Sequence, residues 1–225
     1  VEADVIVDFA AASAVDALLA YAVERQIPVV LCTTGLSDAQ LESVKKASQK
    51  VAVLRSANMS LGVNLLLELV KQAAGVLYEA GFDIEIVEKH HNQKLDAPSG
   101  TAIALGEAAK QGVTEELTNV YDRSQVRQKR LHTEIGFSAV RGGTITGEHD
   151  IIFAGMDEGV TLSHTAYSRA VFAKGAVQAA KFLAGKPAGD MDPCSVLLVL
   201  DRCRLRPAQP FRVCRNSQRR RVGSA

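Results

Sequence analysis

The chain has 225 residues, 47% hydrophobic and 23% charged, enough apolar material for one large or two small domains with cores of their own. No run reaches the roughly 18 apolar residues that a membrane span needs, and the acidic opening Val1-Glu2-Ala3-Asp4 is unlike the basic start of a secretory leader. The net charge of +1 hides an asymmetry, because residues 191–225 carry eight arginines against Asp192 and Asp201, together with three of the four cysteines.

That tail has Phe211 as its one aromatic residue and no helical or strand period. It reads as an atypical, poorly ordered, frame-altered terminus over residues 188–225 rather than a module for nucleic acid or acidic lipid. The scarcity of cysteine in the body points to a reducing, cytoplasmic setting. The chain opens without Met directly into a strand-like run, so an amino-terminal segment is expected to be missing.

In chain order, residues 3–9 (ADVIVDF) predict a short buried strand, and residues 13–25 a helix with Ser13 as its cap. Residues 28–34 predict the next strand. Ser37 and Gln40 match a capping box that opens a helix to about Ser48, and residues 51–57 predict a third strand. Strands apolar on both faces, alternating with helices, imply a parallel sheet covered on its two sides. The pattern then changes. Ser60 can cap a long helix over residues 61–78, with Leu65, Leu66, Leu69, Ala73 and Val76 as its expected buried stripe. Residues 83–91 alternate apolar and polar, and a helix follows from about Thr101 to Gln111. Three further strands, over residues 135–142, 144–154 and 159–168, suggest a mixed or antiparallel sheet before a helix at residues 170–184. The fold class is α/β: a partial Rossmann-like parallel sheet in residues 1–59, to which 170–187 return, plus a mixed-sheet α+β substrate and oligomerisation domain in residues 60–169.

The chemistry concentrates in residues 88–102, Glu-Lys-His-His-Asn-Gln-Lys-Leu-Asp-Ala-Pro-Ser-Gly-Thr-Ala. His90 and His91 end a strand, Lys94 lies in the loop beyond, and Ser99-Gly100-Thr101 opens a helix whose free N–H groups favour an anion. Imidazole, ammonium and an anion-binding turn within fifteen residues suit a carboxylate substrate that needs proton transfer. A zinc site is disfavoured, since the histidines are adjacent rather than four apart and no Cys or carboxylate is spaced to complete it. His149 and His164 lie on strands and could flank a pocket; His132 falls in a polar loop and is expected to be solvated, and Asp96 to shape the loop before the turn.

The stretch Glu88–Ala102 resembles the signature of the dihydrodipicolinate (4-hydroxy-tetrahydrodipicolinate) reductase family. The resemblance extends over about residues 1–187, through Thr33-Thr34-Gly35, residues 56–64, Glu134–Phe137, Val140–Gly143, Gly147–His149, Ser163–Arg169 and Phe172–Ala176. It implies hydride transfer from NADPH or NADH to a cyclic dicarboxylate imine in lysine and diaminopimelate synthesis. His90 resembles the family's proton donor or acceptor and Lys94 its second proton donor. His91, Ser99, Gly100, Thr101 and Arg169 resemble substrate contacts. Cys32, Thr33, Thr34, Ser56, Ala57, Asn58 and Met59 would meet the cofactor, with Cys32 standing where the family usually has Gly and crowding the turn, and Met59 where it has Phe. The family also implies a homotetramer, with no nucleic acid, membrane or metal. Its first strand, glycine-rich turn and helix cradle the pyrophosphate, and no such turn is found before residues 3–9 here, which sets the activity of this polypeptide apart from that of the family. Two other readings remain: an amino-acid semialdehyde dehydrogenase, which would need Cys32 as nucleophile, and an inactive fragment that oligomerises or binds nucleic acid through its tail.

Overall fold

The computed structural model describes residues 2–56 and 58–191, with the backbone of 213–215. Along the chain come β1 (Val5–Asp8), α1 (Val15–Arg25), β2 (Val29–Leu31), α2 (Asp38–Ser48), β3 (Ala52–Arg55), α3 (Leu61–Leu77), β4 (Asp83–His90) and α4 (Gly100–Gly112). They are followed by β5 (Thr118–Tyr121), β6 (Glu134–Arg141), β7 (Glu148–Ala154), β8 (Gly159–Thr165), α5 (Ala170–Leu183), β9 (Gly189–Met191) and β10 (Val213–Arg215). These elements form two compact units, one of residues up to Ser60 together with those from Phe172 onward, the other Leu61–Val171.

The first unit carries a parallel sheet of order β10-β1-β2-β3-β9. Apolar strands such as Val29-Val30-Leu31 are buried on both faces, as helices on a parallel sheet require. Ile6, Leu31 and Val53 of the strands pack with Val15, Leu19 and Ala22 of α1 and Val44 and Ala47 of α2. The capping box of α2 is present in both directions: Gln40 N–H donates to Ser37 Oγ at 3.3 Å, and Ser37 N–H to Gln40 Oε1 at 3.1 Å. Ser13 does not cap α1. A 3-10 turn over Ala12–Ala14 precedes that helix, and Ala14 takes the cap position without a side-chain bond. The segment read as an irregular tail contributes β9 against β3 and β10 against β1. Edge strands of three residues are defined by backbone pairing and need no side-chain period, so their sequence does not announce them. The arginine-rich remainder lies outside the described residues.

The second unit holds a mixed sheet of order β5-β6-β4-β7-β8, parallel from β5 to β4 and antiparallel from β4 to β8. Burial alternates along β4 and β7. Ile84, Ile86, Ile135, Phe137, Ile151 and Phe153 face Leu66, Val70 and Ala74 of α3 and Leu105 and Ala109 of α4. The buried stripe of α3 is thus turned from the expected one: Leu65, Leu69 and Val76 are exposed, and Val63, Leu66, Val70 and Ala74 are inside. A helix this rich in leucine supports two stripes one position apart, and contact with α4 selects between them. Strand β5 was not foreseen, being four residues long and half exposed at the sheet edge.

Helices α3 and α4 approach backbone to backbone at two glycines. A Cβ on Gly75 would lie 2.8 Å from the carbonyl oxygen of Gly112, and one on Gly112 would collide with the carbonyl of Lys71. Replacing Gly112 by Ala therefore forces the helices apart and should destabilise the protein by about 1–3 kcal/mol. Thermal unfolding followed by circular dichroism checks this, with Gly142→Ala, whose Cβ would meet nothing within 4 Å, as a control expected to melt with the parent.

Candidate active site

Strand periodicity sends Ile84, Ile86, Glu88 and His90 to the same buried face of β4. The first two fill the core; the last two are polar and lie where the strand ends. Parallel pairing sets Arg141 of β6 opposite His90, and antiparallel pairing sets His149 of β7 opposite Glu88. Sheet register alone therefore assembles a polar cluster at one end of a hydrophobic core.

Glu88, 1% exposed, is the centre of that cluster. Its Oε1 accepts from Arg141 Nη2 at 2.6 Å and from the Ser99 backbone N–H at 3.0 Å. Its Oε2 accepts from Arg141 Nη1 at 2.8 Å and faces His90 Nδ1 at 2.5 Å. Ser99 caps α4 by accepting from Ala102 N–H at 3.1 Å, and its Oγ lies 3.0 Å from His149 Nε2. The His90 and His149 rings meet edge to face at 5.1 Å. The loop between β4 and α4 folds back on the neighbouring strand: Asn92 N–H donates to Gly143 O, Gly142 N–H to His90 O, and Arg141 Nη2 to Asp96 O. Lys94 Nζ pairs with Asp96 at 2.9 Å, and Arg169, from 78 residues away, brings Nη2 to 3.4 Å from His91 Nε2. A Cβ on Gly100 would meet nothing within 4 Å, so the start of α4 is open on that side.

Burial pushes the Glu88 carboxyl upward, but the bonds from Arg141 and His90 outweigh it and hold the group below its ordinary value. For His90 burial wins. It lowers the imidazole against the opposing bond and charge of Glu88, with Lys94 and Arg141 adding to the lowering. Arg141, rather than an imidazolium, is thus the cation that keeps Glu88 ionised. Burial brings His149 down to about 4, the neighbouring His90 adding to it, and also lowers His164. Asp96 is held down by its bond from Lys94.

His90, His91, Lys94, Ser99, Gly100, Thr101 and Arg169 all belong to the second unit. Ser99 joins the buried cluster, Arg169 reaches His91, and Thr101 lies half-buried in the first turn of α4. Cys32, Thr33 and Thr34 follow β2 in the first unit, and Ser56, Asn58 and Met59 follow β3; Ala57 lies outside the described residues. Thr33 Oγ1 approaches Asp8 Oδ2 at 2.5 Å, and Ser56 Oγ donates to Asn58 O at 2.8 Å. Cys32 is buried, and its thiol is pushed up to about 12 by burial and by Asp8, so it is a poor nucleophile at neutral pH. His132 is not merely solvated: it stacks on Tyr78 with ring centroids 4.2 Å apart. Among the described residues no group of three or more His, Cys, Asp or Glu is arranged to hold a metal ion, and no helix is long and apolar enough to cross a membrane. Sequence reasoning missed Glu88, Arg141 and the depth of His149. The available signal was Glu88 two residues before His90 on a strand, hence on the same face.

Residues 1–59 match the family described as "Dihydrodipicolinate reductase, N-terminus", and residues 62–197 match "Dihydrodipicolinate reductase, C-terminus". The chain is 55% identical over 188 residues to the 4-hydroxy-tetrahydrodipicolinate reductase of Caldanaerobacter subterraneus subsp. tengcongensis, covering 84% of this chain and 74% of the relative. It is 48% identical over 189 residues to that of Clostridium tetani, covering 84% and 73%. Among solved structures it is similar to the dipicolinate-bound dihydrodipicolinate reductase of Paenisporosarcina sp. TG-14, with a TM-score of 0.66 and 25% identity, covering 84% of this chain and 71% of that one.

The depressed histidines make stability depend on pH. An imidazole that titrates lower when folded binds its proton more readily when unfolded, so its contribution is complete above the unfolded value and is lost as pH falls. For His149 the window runs from 6.5 down to about 4, and the full loss is about 3 kcal/mol. Unfolding by urea at a series of pH values should show stability declining below about pH 6.5. His149→Gln should flatten that decline, and superimposable curves for the two proteins would remove His149 from the account.

Proposed function

This chain belongs to the dihydrodipicolinate reductase family, and from that premise we propose that it reduces 4-hydroxy-tetrahydrodipicolinate to tetrahydrodipicolinate. The carrying observation is the juxtaposition of an ionised, buried Glu88 bonded to His90 with the open helix start at Gly100. A dicarboxylate finds there what its chemistry asks for. One carboxylate is received by the first turn of α4 at Gly100 and Thr101, where the helix dipole favours negative charge. Arg169 and His91 form a polar pair that suits the other carboxylate. Lys94 supplies positive charge against the electron density that builds on the substrate, and with His90 it exchanges protons with the substrate.

NADPH or NADH supplies the hydride when bound. Residues of the first unit fit such a group. Cys32–Thr34 and Ser56–Met59 follow the carboxyl ends of adjacent parallel strands, where open α/β sheets receive their ligands. Cys32 is buried where that first segment begins, and a Cβ on Gly35 would meet nothing within 4 Å. The second of these segments is held by a close approach, since a Cβ on Gly175 of α5 would collide with the Met59 carbonyl. Among the described residues of this unit no glycine-rich turn follows a strand. Assembly into a homotetramer is inferred from membership of the family, and among the described residues exposed positions on β6 and β8, Val140 included, leave those strands free for a partner.

The test is a reductase assay that follows nicotinamide oxidation, with substrate generated in place from pyruvate and aspartate semialdehyde. His90→Ala and Lys94→Ala should each lower kcat by about a hundredfold. Unchanged rates in both variants would overturn the assignment of proton transfer to these side chains.

A further inference from the structure

The reductase reading uses His90, Lys94 and the turn at Gly100, and leaves unexplained why a carboxylate is buried beside them. Burying an isolated carboxylate is costly, and in proteins such a group is neutralised or fully paired. Glu88 is fully paired: two bonds from Arg141, one from the Ser99 backbone and the contact with His90 use both its oxygens.

We propose that Glu88 is the positioning residue of the site, fixing His90 as the tautomer protonated at Nδ1 and tying that ring to the substrate-binding turn through Ser99. The geometry leaves little choice of tautomer. With Oε2 2.5 Å from Nδ1, a proton must lie between them, since an unprotonated Nδ1 would set its lone pair against a carboxylate oxygen. That proton belongs to the ring, because the paired guanidinium of Arg141 favours the ionised carboxylate. Nε2 of neutral His90 is then a bare acceptor and the atom through which protons enter and leave. Gly147 keeps its surroundings clear, since a Cβ there would stand 3.1 Å from Nε2. The charged and titratable groups around the ring come from every neighbouring element: Glu88 on β4, Lys94 in the following loop, Arg141 on β6 and His149 on β7. Among the described residues, Glu88 is the anion within hydrogen-bonding distance of the ring.

The same carboxylate bonds the Ser99 N–H, and Ser99 in turn caps α4. Ring and helix start are thus referred to one rigid, buried group. A substrate seated on the turn meets Nε2 in a set position without ordering a loop at the moment of reaction.

This assignment rests on the reading of His90 as the proton-transfer residue, so its test is made independent of turnover. Protein labelled with nitrogen-15 at histidine is titrated by NMR, with the His90 signals identified from their loss in His90→Gln. Neutral His90 should carry its proton at Nδ1, the reverse of the form free imidazole side chains prefer. In Glu88→Gln the ring should move towards the Nε2-protonated form and titrate about one unit lower; in Arg141→Gln, where the carboxylate acts on His90 undiluted, it should titrate about one unit higher. A merely structural Glu88 predicts no such opposed shifts. A wild-type ring protonated at Nε2, or folded variants in which His90 titrates as in the parent, would overturn the assignment. The wild-type tautomer decides the matter even where Glu88→Gln does not fold. A protein with the Nδ1-protonated ring but no reductase activity would instead overturn the functional reading and leave the positioning role standing.

Discussion

The second unit is organised around one buried negative charge. Glu88 stands at the end of a row that begins with Ile84 and Ile86, so the strand that supplies the centre of the hydrophobic core also delivers a carboxylate into it. A charge in that position is tolerated only if every lone pair is met, and this dictates much else. Arg141 must end the adjacent parallel strand, and the loop after β4 must return so that Ser99 can present its N–H. The guanidinium then donates to the Asp96 carbonyl as well, which fixes the loop carrying Lys94. Order in the candidate site therefore follows from electrostatic necessity in the core.

The first unit meets a different constraint. Its segments after β2 and β3 are positioned by backbone geometry, with short side chains filling the turns: Thr33 against Asp8, Ser56 and Asn58 against each other, and Gly175 admitting the Met59 carbonyl. Cys32 fits this scheme as a small buried residue, its raised thiol removing the chemistry that its side chain would otherwise bring.

Much of this was legible in the sequence, for identifiable reasons. The capping box at Ser37 and Gln40 is a local motif whose partners lie within one turn, and the strands from Val5, Val29 and Ala52 are apolar on both faces, which only a covered parallel sheet accommodates. His90, Lys94 and Ser99 could be named because they share one short stretch. Arg141 and His149 could not be attached to them, since only sheet register, set by packing of the whole unit, brings positions 51 and 61 residues apart into line. The stripe of α3 was displaced for a related reason: Leu65, Leu66 and Leu69 are equally apolar, and α4 decides which of them turn inward. Ser13 illustrates competition, the chain entering α1 through a 3-10 turn that moves the cap onto Ala14.

The cluster also carries a cost that its position explains. Three histidines, His90, His149 and His164, are held neutral by burial, so each opposes the folded state when protonated. A purely structural core would gain by replacing them with apolar residues of similar volume. His90 and His149 meet edge to face beside a carboxylate that an arginine keeps ionised, with His164 opposite His149 on the next strand, an arrangement that makes sense if one ring must stay unprotonated while close to charge. Only a desolvated ring beside Lys94 and Arg141 can do so without losing its anchor to Glu88. Acid sensitivity then follows from holding these rings neutral by burial, and His149, brought down to about 4, contributes to it directly.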